Sequence, residues 1–161
     1  MTARDIRYQA AVVDAGRLLL LYCVPRDETG FWVLPGGGRE AGESEEECVA
    51  REVREEARIE VVVGPLLYDV PADPPDGTYA RWRTYLCRLT SGEAAPGGGE
   101  GWAELTAVRW LPLGDSAEWE PSLRADPFLH PQLLRIRAAL RGTDAPIVPP
   151  AGERGVAADR A

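Results

Sequence analysis

Two apolar, β-rich runs open the chain, residues 6–14 (IRYQAAVVD) and 17–24 (RLLLLYCV), with only Ala15-Gly16 between them. That pattern predicts a β-hairpin at which the sheet begins. A loop through Pro25, Asp27 and Gly30 leads to a short strand, Phe31-Trp32-Val33-Leu34, which Pro35 and the glycines Gly36 to Gly38 must end. Residues 59–70 (IEVVVGPLLYDV) read as a strand broken at Gly64-Pro65, and residues 78–90 (TYARWRTYLCRLT) as a long alternating strand. Between them PADPPDG is a loop. Residues 91–101 (SGEAAPGGGEG) are expected to form a flexible surface loop, and Ala107 to Leu111 a strand closed by Pro112. Pro131 to Arg141 carries Leu133, Leu134, Ile136 and Leu140 at helical spacing, with Gly142 at its stop. Residues 143–161 mix Pro, Ala, Gly and charge without a period, the composition of a disordered tail. The expected organisation is one domain over residues 1–142 and a tail beyond it.

A helix is expected from Ser44, because Ser44 and Glu47 have the spacing of a capping box. At about 100° per residue, Val49, Ala50, Val53 and Ala57 form one stripe, while Glu47, Arg54 and Arg58 face solvent. Glu52, Glu55 and Glu56 fall together at the edge of the stripe, beside Gly36 to Gly38. Like charges at i, i+4 destabilise a helix by about 0.2–0.5 kcal/mol per pair, and by more where solvent is excluded. A solvated acidic face relieved by Glu47–Arg51 and Arg51–Glu55 pairs is one account. The other is a hard divalent cation, Mg²⁺ or Mn²⁺, which takes oxygen ligands and bridges to phosphates.

Composition narrows the chemistry. All 18 basic residues are Arg and the only His is His130, which excludes a P-loop Lys, a Schiff-base Lys and a two-His metal site. A net charge of −8 argues against broad binding to duplex nucleic acid. The three cysteines, Cys23, Cys48 and Cys87, lie far apart in apolar stretches and read as buried hydrophobes. No apolar run approaches the roughly 20 residues of a membrane span, and the N-terminus lacks a signal-peptide core, so a cytoplasmic location is expected.

Gly37, then Glu43, then Arg51-Glu52-Val53-Arg54-Glu55-Glu56-Ala57-Arg58-Ile59 resembles the Nudix box, GX5EX7REUXEEXGU with U a bulky aliphatic residue. The match departs only at Arg58, where that family has Gly. The preceding FWVLPGG is similar to the strand that leads into the box. The resemblance implies the Nudix fold, an α/β/α sandwich around a central mixed β-sheet. It implies attack by water on a phosphorus of a nucleoside diphosphate linked to another moiety, with Mg²⁺ or Mn²⁺ as cofactor and a small-molecule nucleotide as partner.

Glu52, Glu55 and Glu56 match the family's metal ligands, with the Gly36 carbonyl and Glu43 as supporting ligands, Glu43 alternatively standing behind them. Arg51 matches the Arg that pairs with a box carboxylate. Members of the family draw a general base from different loops; Glu104, which resembles the acidic residue before the late "RW" strand that reaches the metals in many members, is the candidate here, with Glu100 and Asp69 as lesser ones. Arg26, Arg81 and Arg83 are candidates for phosphate contacts, and Trp32, Tyr79, Trp82 or Trp119 for base stacking. Alternation places Arg81 and Arg83 opposite Trp82. A noncatalytic Nudix-like binding module is the alternative, supported by Arg58, and an RNA-end pyrophosphohydrolase is disfavoured by the acidic balance. Assembly as a homodimer is left open.

Overall fold

The first turn sets the sheet. Ala15 and Gly16 both adopt positive φ, 51° and 75°, so a two-residue turn closes with Asp14 opposite Arg17. In a computed structural model, which describes residues 5–99 and 101–142, this turn joins strands β1 (Ile6–Asp14) and β2 (Arg17–Pro25). The two strands stay paired only near the turn. Farther from it, β1 takes β4 (Gly36–Gly37) as an antiparallel neighbour, Tyr8 opposite Gly37 and Gln9 opposite Gly36. A Cβ on Gly36 would come within 2.5 Å of the Tyr8 carbonyl oxygen, so glycine is what allows the approach.

On its other side β1 runs parallel to β6 (Arg81–Ser91), and β5 (Glu60–Pro71) closes that edge antiparallel to β6. β2 pairs with both β3 (Phe31–Val33) and β7 (Ala103–Pro112). The result is a seven-stranded mixed sheet.

Period-two alternation then dictates the layers. Tyr8, Ala10 and Val12, with Leu19, Leu21, Tyr85 and Cys87, pack against Cys48, Val49, Val53 and Ala57 of α1 (Glu45–Ala57). On the opposite face Ala11, Val13, Leu18, Leu20 and Leu86 meet Leu123 of α2 (Pro121–Arg124) and Leu129, Leu133 and Ile136 of α3 (Leu129–Arg141). This is the expected α/β/α sandwich. All three cysteines are buried and free, and no helix among the described residues is long and apolar enough to cross a membrane.

Three expectations change. β5 runs unbroken through Gly64-Pro65, its register with β6 shifting between Val63 and Leu66. A bulge there accommodates a proline that has no N–H to give the ladder. β7 begins at Ala103, four residues before the apolar signal, because Glu104 and Leu105 pair with Val24 and Cys23 of β2. Residues 95–98 are tied to the end of α1: the Ala95, Gly97 and Gly98 amides donate to the Ala57, Glu56 and Glu55 carbonyls at 3.0, 2.8 and 3.2 Å. That segment is therefore not a free surface loop. The expected tail, 143–161, and Glu100 lie outside the described residues.

Candidate active site

Helix α1 starts as its sequence dictates. Ser44 accepts the Glu47 amide at 3.0 Å while Glu47 accepts the Ser44 amide at 2.8 Å, two otherwise unpaired donors satisfied at once. Glu47 is thereby committed to the cap, and of the two expected ion pairs only Arg51–Glu55 forms. The helix ends in a left-handed residue, Arg58, at φ 61° and ψ 31°, whose amide donates to the Arg54 carbonyl. A side chain in this conformation costs about 1 kcal/mol. The chain takes a left-handed turn here with Arg at the position where the box has Gly.

Between these ends the edge of α1 turns carboxylates toward β4. Glu52 is only 5% exposed, and a Cβ on Gly37 would overlap its Oε1, so the bare backbone of β4 is what makes room for it. Burial pushes the Glu52 carboxyl above its usual range, against the neighbouring Arg51 and Arg7 cations. Glu56 accepts the Gly36 amide at 2.9 Å. Glu55, 56% exposed, lies on the solvent side.

Arg51 organises the group. Its Nε and Nη2 grip both oxygens of Glu43 at 2.6 and 3.1 Å, its Nη1 reaches Glu52 and Glu55 at 3.1 Å each, and Nη2 also donates to the Gly38 carbonyl. The forked grip holds the Glu43 carboxyl below its ordinary range. Glu43 thus anchors Arg51, and Arg51 holds the rotamers of Glu52 and Glu55, while the Gly36 amide holds Glu56.

These groups form one wall of a cleft of about 860 Å³ that also takes in Arg7, Gln9, Trp32, Tyr79 and Trp82. Arg7 donates to Gln9 Oε1 at 3.1 Å and to the Leu34 carbonyl at 3.0 Å, and its guanidinium stands 5.9 Å from the Tyr79 ring. Beneath it Gln9 donates to Thr84 and to Gln132 of α3 at 2.9 and 2.6 Å. Trp82 fixes its indole by donating to Asp76, and Trp32 packs edge-on to Tyr22 at 4.9 Å. The sequence reading missed Arg7, Gln9 and Gln132. The available signal was a pair of polar residues on one face of an otherwise apolar strand.

Other candidates lie elsewhere. Arg81 and Arg83 leave the cleft face, as alternation required: Arg81 pairs with Asp69 at 2.8 Å and Arg83 with Glu45 at 3.4 Å, beside the Tyr85–Glu45 hydrogen bond. Asp69 is occupied by those two arginines. Arg26 donates to the Gly101 carbonyl and does not line the cleft. Glu104 is exposed on β7; its neighbours Ala103 and Leu105 face the cleft and it does not. Trp119 is buried in the core on the α3 side, donating to the Pro112 carbonyl.

Among the described residues no three Asp, Glu, His or Cys side chains stand together as a metal-ligand group, Arg51 lying among the carboxylates instead. The donor chemistry still suits a hard cation: every candidate is an oxygen, and Glu52 is a desolvated carboxylate set in a cradle that a Cβ would fill.

An acidic helix edge beside a glycine strand thus opens on a cleft that aromatic side chains also line. The NUDIX domain model matches residues 7–130, and the chain belongs to that family. Solved structures agree. An ADP-ribose pyrophosphatase from Streptococcus suis is 26% identical, with a TM-score of 0.65 over 87% of this chain and 93% of that one. A MutT Nudix hydrolase from Burkholderia pseudomallei is 30% identical, TM-score 0.62, over 81% and 96%. A Nudix hydrolase from Nitrosomonas europaea shares the fold at 19% identity, TM-score 0.66, over 83% and 88%. The protein is a Nudix pyrophosphohydrolase, and Arg58, the departure that supported a noncatalytic module, adopts the left-handed conformation that glycine takes most readily.

Proposed function

We propose that the protein hydrolyses the pyrophosphate bond of a nucleoside diphosphate linked to another moiety, in the presence of Mg²⁺ or Mn²⁺. The observation that carries this reading is the cleft itself, which brings Glu52, Glu55 and Glu56 into one enclosure with Trp32, Tyr79 and Trp82. A diphosphate approaching the acidic end adds negative charge to a chain already at −8, so cations must accompany it. The similarity to the Streptococcus suis ADP-ribose pyrophosphatase supports a substrate of this class.

Glu52, Glu55 and Glu56 would hold the ion, with the Gly36 carbonyl in support. Bound there, the metal would polarise the P–O bonds and acidify a water. The chain's own residues do the rest. Arg51 and Glu43 fix the carboxylate rotamers before substrate arrives. Arg7 presents a cation on the path between the acidic end and the aromatic side chains, anchored by two neutral acceptors. Trp32 and Tyr79, each with an arginine over its ring, are the side chains of the lining against which a base would pack.

A panel of nucleoside diphosphate derivatives and nucleoside triphosphates with each cation, read as released monophosphate or phosphate, tests the assignment. Turnover of at least one diphosphate derivative, dependent on the cation and abolished in Glu56→Ala, is expected. Cation-independent turnover, or an undiminished rate in that variant, would overturn it.

A further inference from the structure

The last four carbonyls of a helix have no partner inside it, and buried ones need partners from elsewhere. In α1 all four are satisfied. Arg54 is capped by the Arg58 amide, and Glu55, Glu56 and Ala57 by Gly98, Gly97 and Ala95, which lie some forty residues farther along the chain. Two of these carbonyls belong to the residues whose carboxylates face the cleft. The clamp also follows a left-handed arginine, so the helix end is held from outside at the point where its own sequence disfavours the turn.

The fit is close at one position. A Cβ on Gly97 would overlap the Glu55 carbonyl oxygen and stand 2.9 and 3.1 Å from the carbonyl carbons of Glu55 and Glu56, so strap or helix turn must move. The next residue differs: a Cβ on Gly98 meets nothing within 4 Å. Neither glycine is needed for a positive φ. One therefore serves contact, and the other tolerates a methyl.

From this we infer that Gly97 is a positioning residue for the metal-binding end of the site, its strap setting the height and rotation of the turn that carries Glu55 and Glu56. The inference rests on the proposed metal role of those glutamates. Groups hydrogen-bonded directly to metal-ligating side chains typically contribute about 10- to 100-fold to metal affinity, and a strap that acts through the helix backbone belongs at the lower end of that range.

The test is Mn²⁺ titration, followed by electron paramagnetic resonance of the free ion, on the full chain and on Gly97→Ala and Gly98→Ala. Gly97→Ala is expected to bind Mn²⁺ at least about tenfold more weakly, and to need correspondingly more cation for half-maximal rate at unchanged substrate KM. Gly98→Ala is expected to match the native chain. Equal Mn²⁺ affinity in all three proteins would overturn the inference while leaving the metal site intact. A native chain that binds no Mn²⁺ would instead remove the metal reading and the inference with it. Should Gly97→Ala fail to fold, Ala95→Pro decides, since it removes one donor without driving a methyl into the helix: about threefold weaker binding supports the inference, and native affinity overturns it.

Discussion

The acidic and the aromatic parts of the cleft lining, called here its two ends, are built differently. The acidic end comes almost entirely from one helix and the strand before it, residues 36–56, and its side chains are already locked to one another through Arg51. The aromatic end is gathered from Trp32 of β3, from Tyr79 before β6 and Trp82 within it, and from Phe128 between α2 and α3. A segment that must place several charges within a few ångströms is best written on consecutive turns of one rigid element, where spacing alone fixes geometry. A surface that only has to stack against a substrate can be assembled from distant loops and changed piece by piece.

Substitutions at the two ends should therefore differ in kind as well as size. The largest effect is expected at Glu56: Glu56→Gln keeps shape and removes charge, and kcat should fall by about 10²-fold or more with little change in thermal midpoint. A drop confined to KM would mean the acidic end merely binds. Arg51→Ala comes next, because it strands Glu43 and Glu52 without their partner. Discounted for the 17% exposure of the guanidinium, a loss of about 2–3 kcal/mol is expected, measured by chemical denaturation. At the aromatic end Trp32→Ala should raise KM about fivefold, the value of roughly 1 kcal/mol of stacking, and leave kcat nearly unchanged.

A pH measurement sharpens the contrast on the acidic side. Arg51 holds Glu43 below its usual 4.5, so the stability from that pairing is complete above this pH and fades as the pH falls through the lower native value. Glu52, raised by burial, has the opposite sign, its stability cost growing as the pH rises past its unfolded value. Thermal midpoints of the native chain and Glu43→Gln, taken in chelator between about pH 5 and pH 3, isolate the first effect. The native chain should lose more stability than the variant. The smallest effect is expected at Arg81→Ala, within about 0.5 kcal/mol in stability and with KM unmoved, because its partner is Asp69 outside the cleft.

What could be read from the chain follows the same division. The hairpin at Ala15-Gly16, the capping box at Ser44 and the edge position of Glu52 depend on neighbours within a few residues, and the structure has each where the spacing places it. Arg81 and Arg83 were legible in part: alternation put them opposite Trp82, but only the fold could reveal that Trp82 faces the cleft and they face Asp69 and Glu45. The side that Glu104 takes was hidden for a related reason, since it depends on how far β7 extends, and pairing with β2 carries the strand past its apolar core. The strap over α1 was hidden because SGEAAPGGG has loop composition, and nothing local records that its amides meet a helix end. Gln9 and Gln132 become partners only when β1 and α3 are brought together across 123 residues.

Crystals grown with Mn²⁺ and a nonhydrolysable nucleoside diphosphate analogue, with diffraction collected at the manganese edge, test the central claim most directly. Anomalous peaks within coordination distance of Glu52 and Glu56, with analogue phosphate oxygens on their far side, are the expected result. Analogue seated in the cleft with manganese bound elsewhere, or not bound at all, would contradict it.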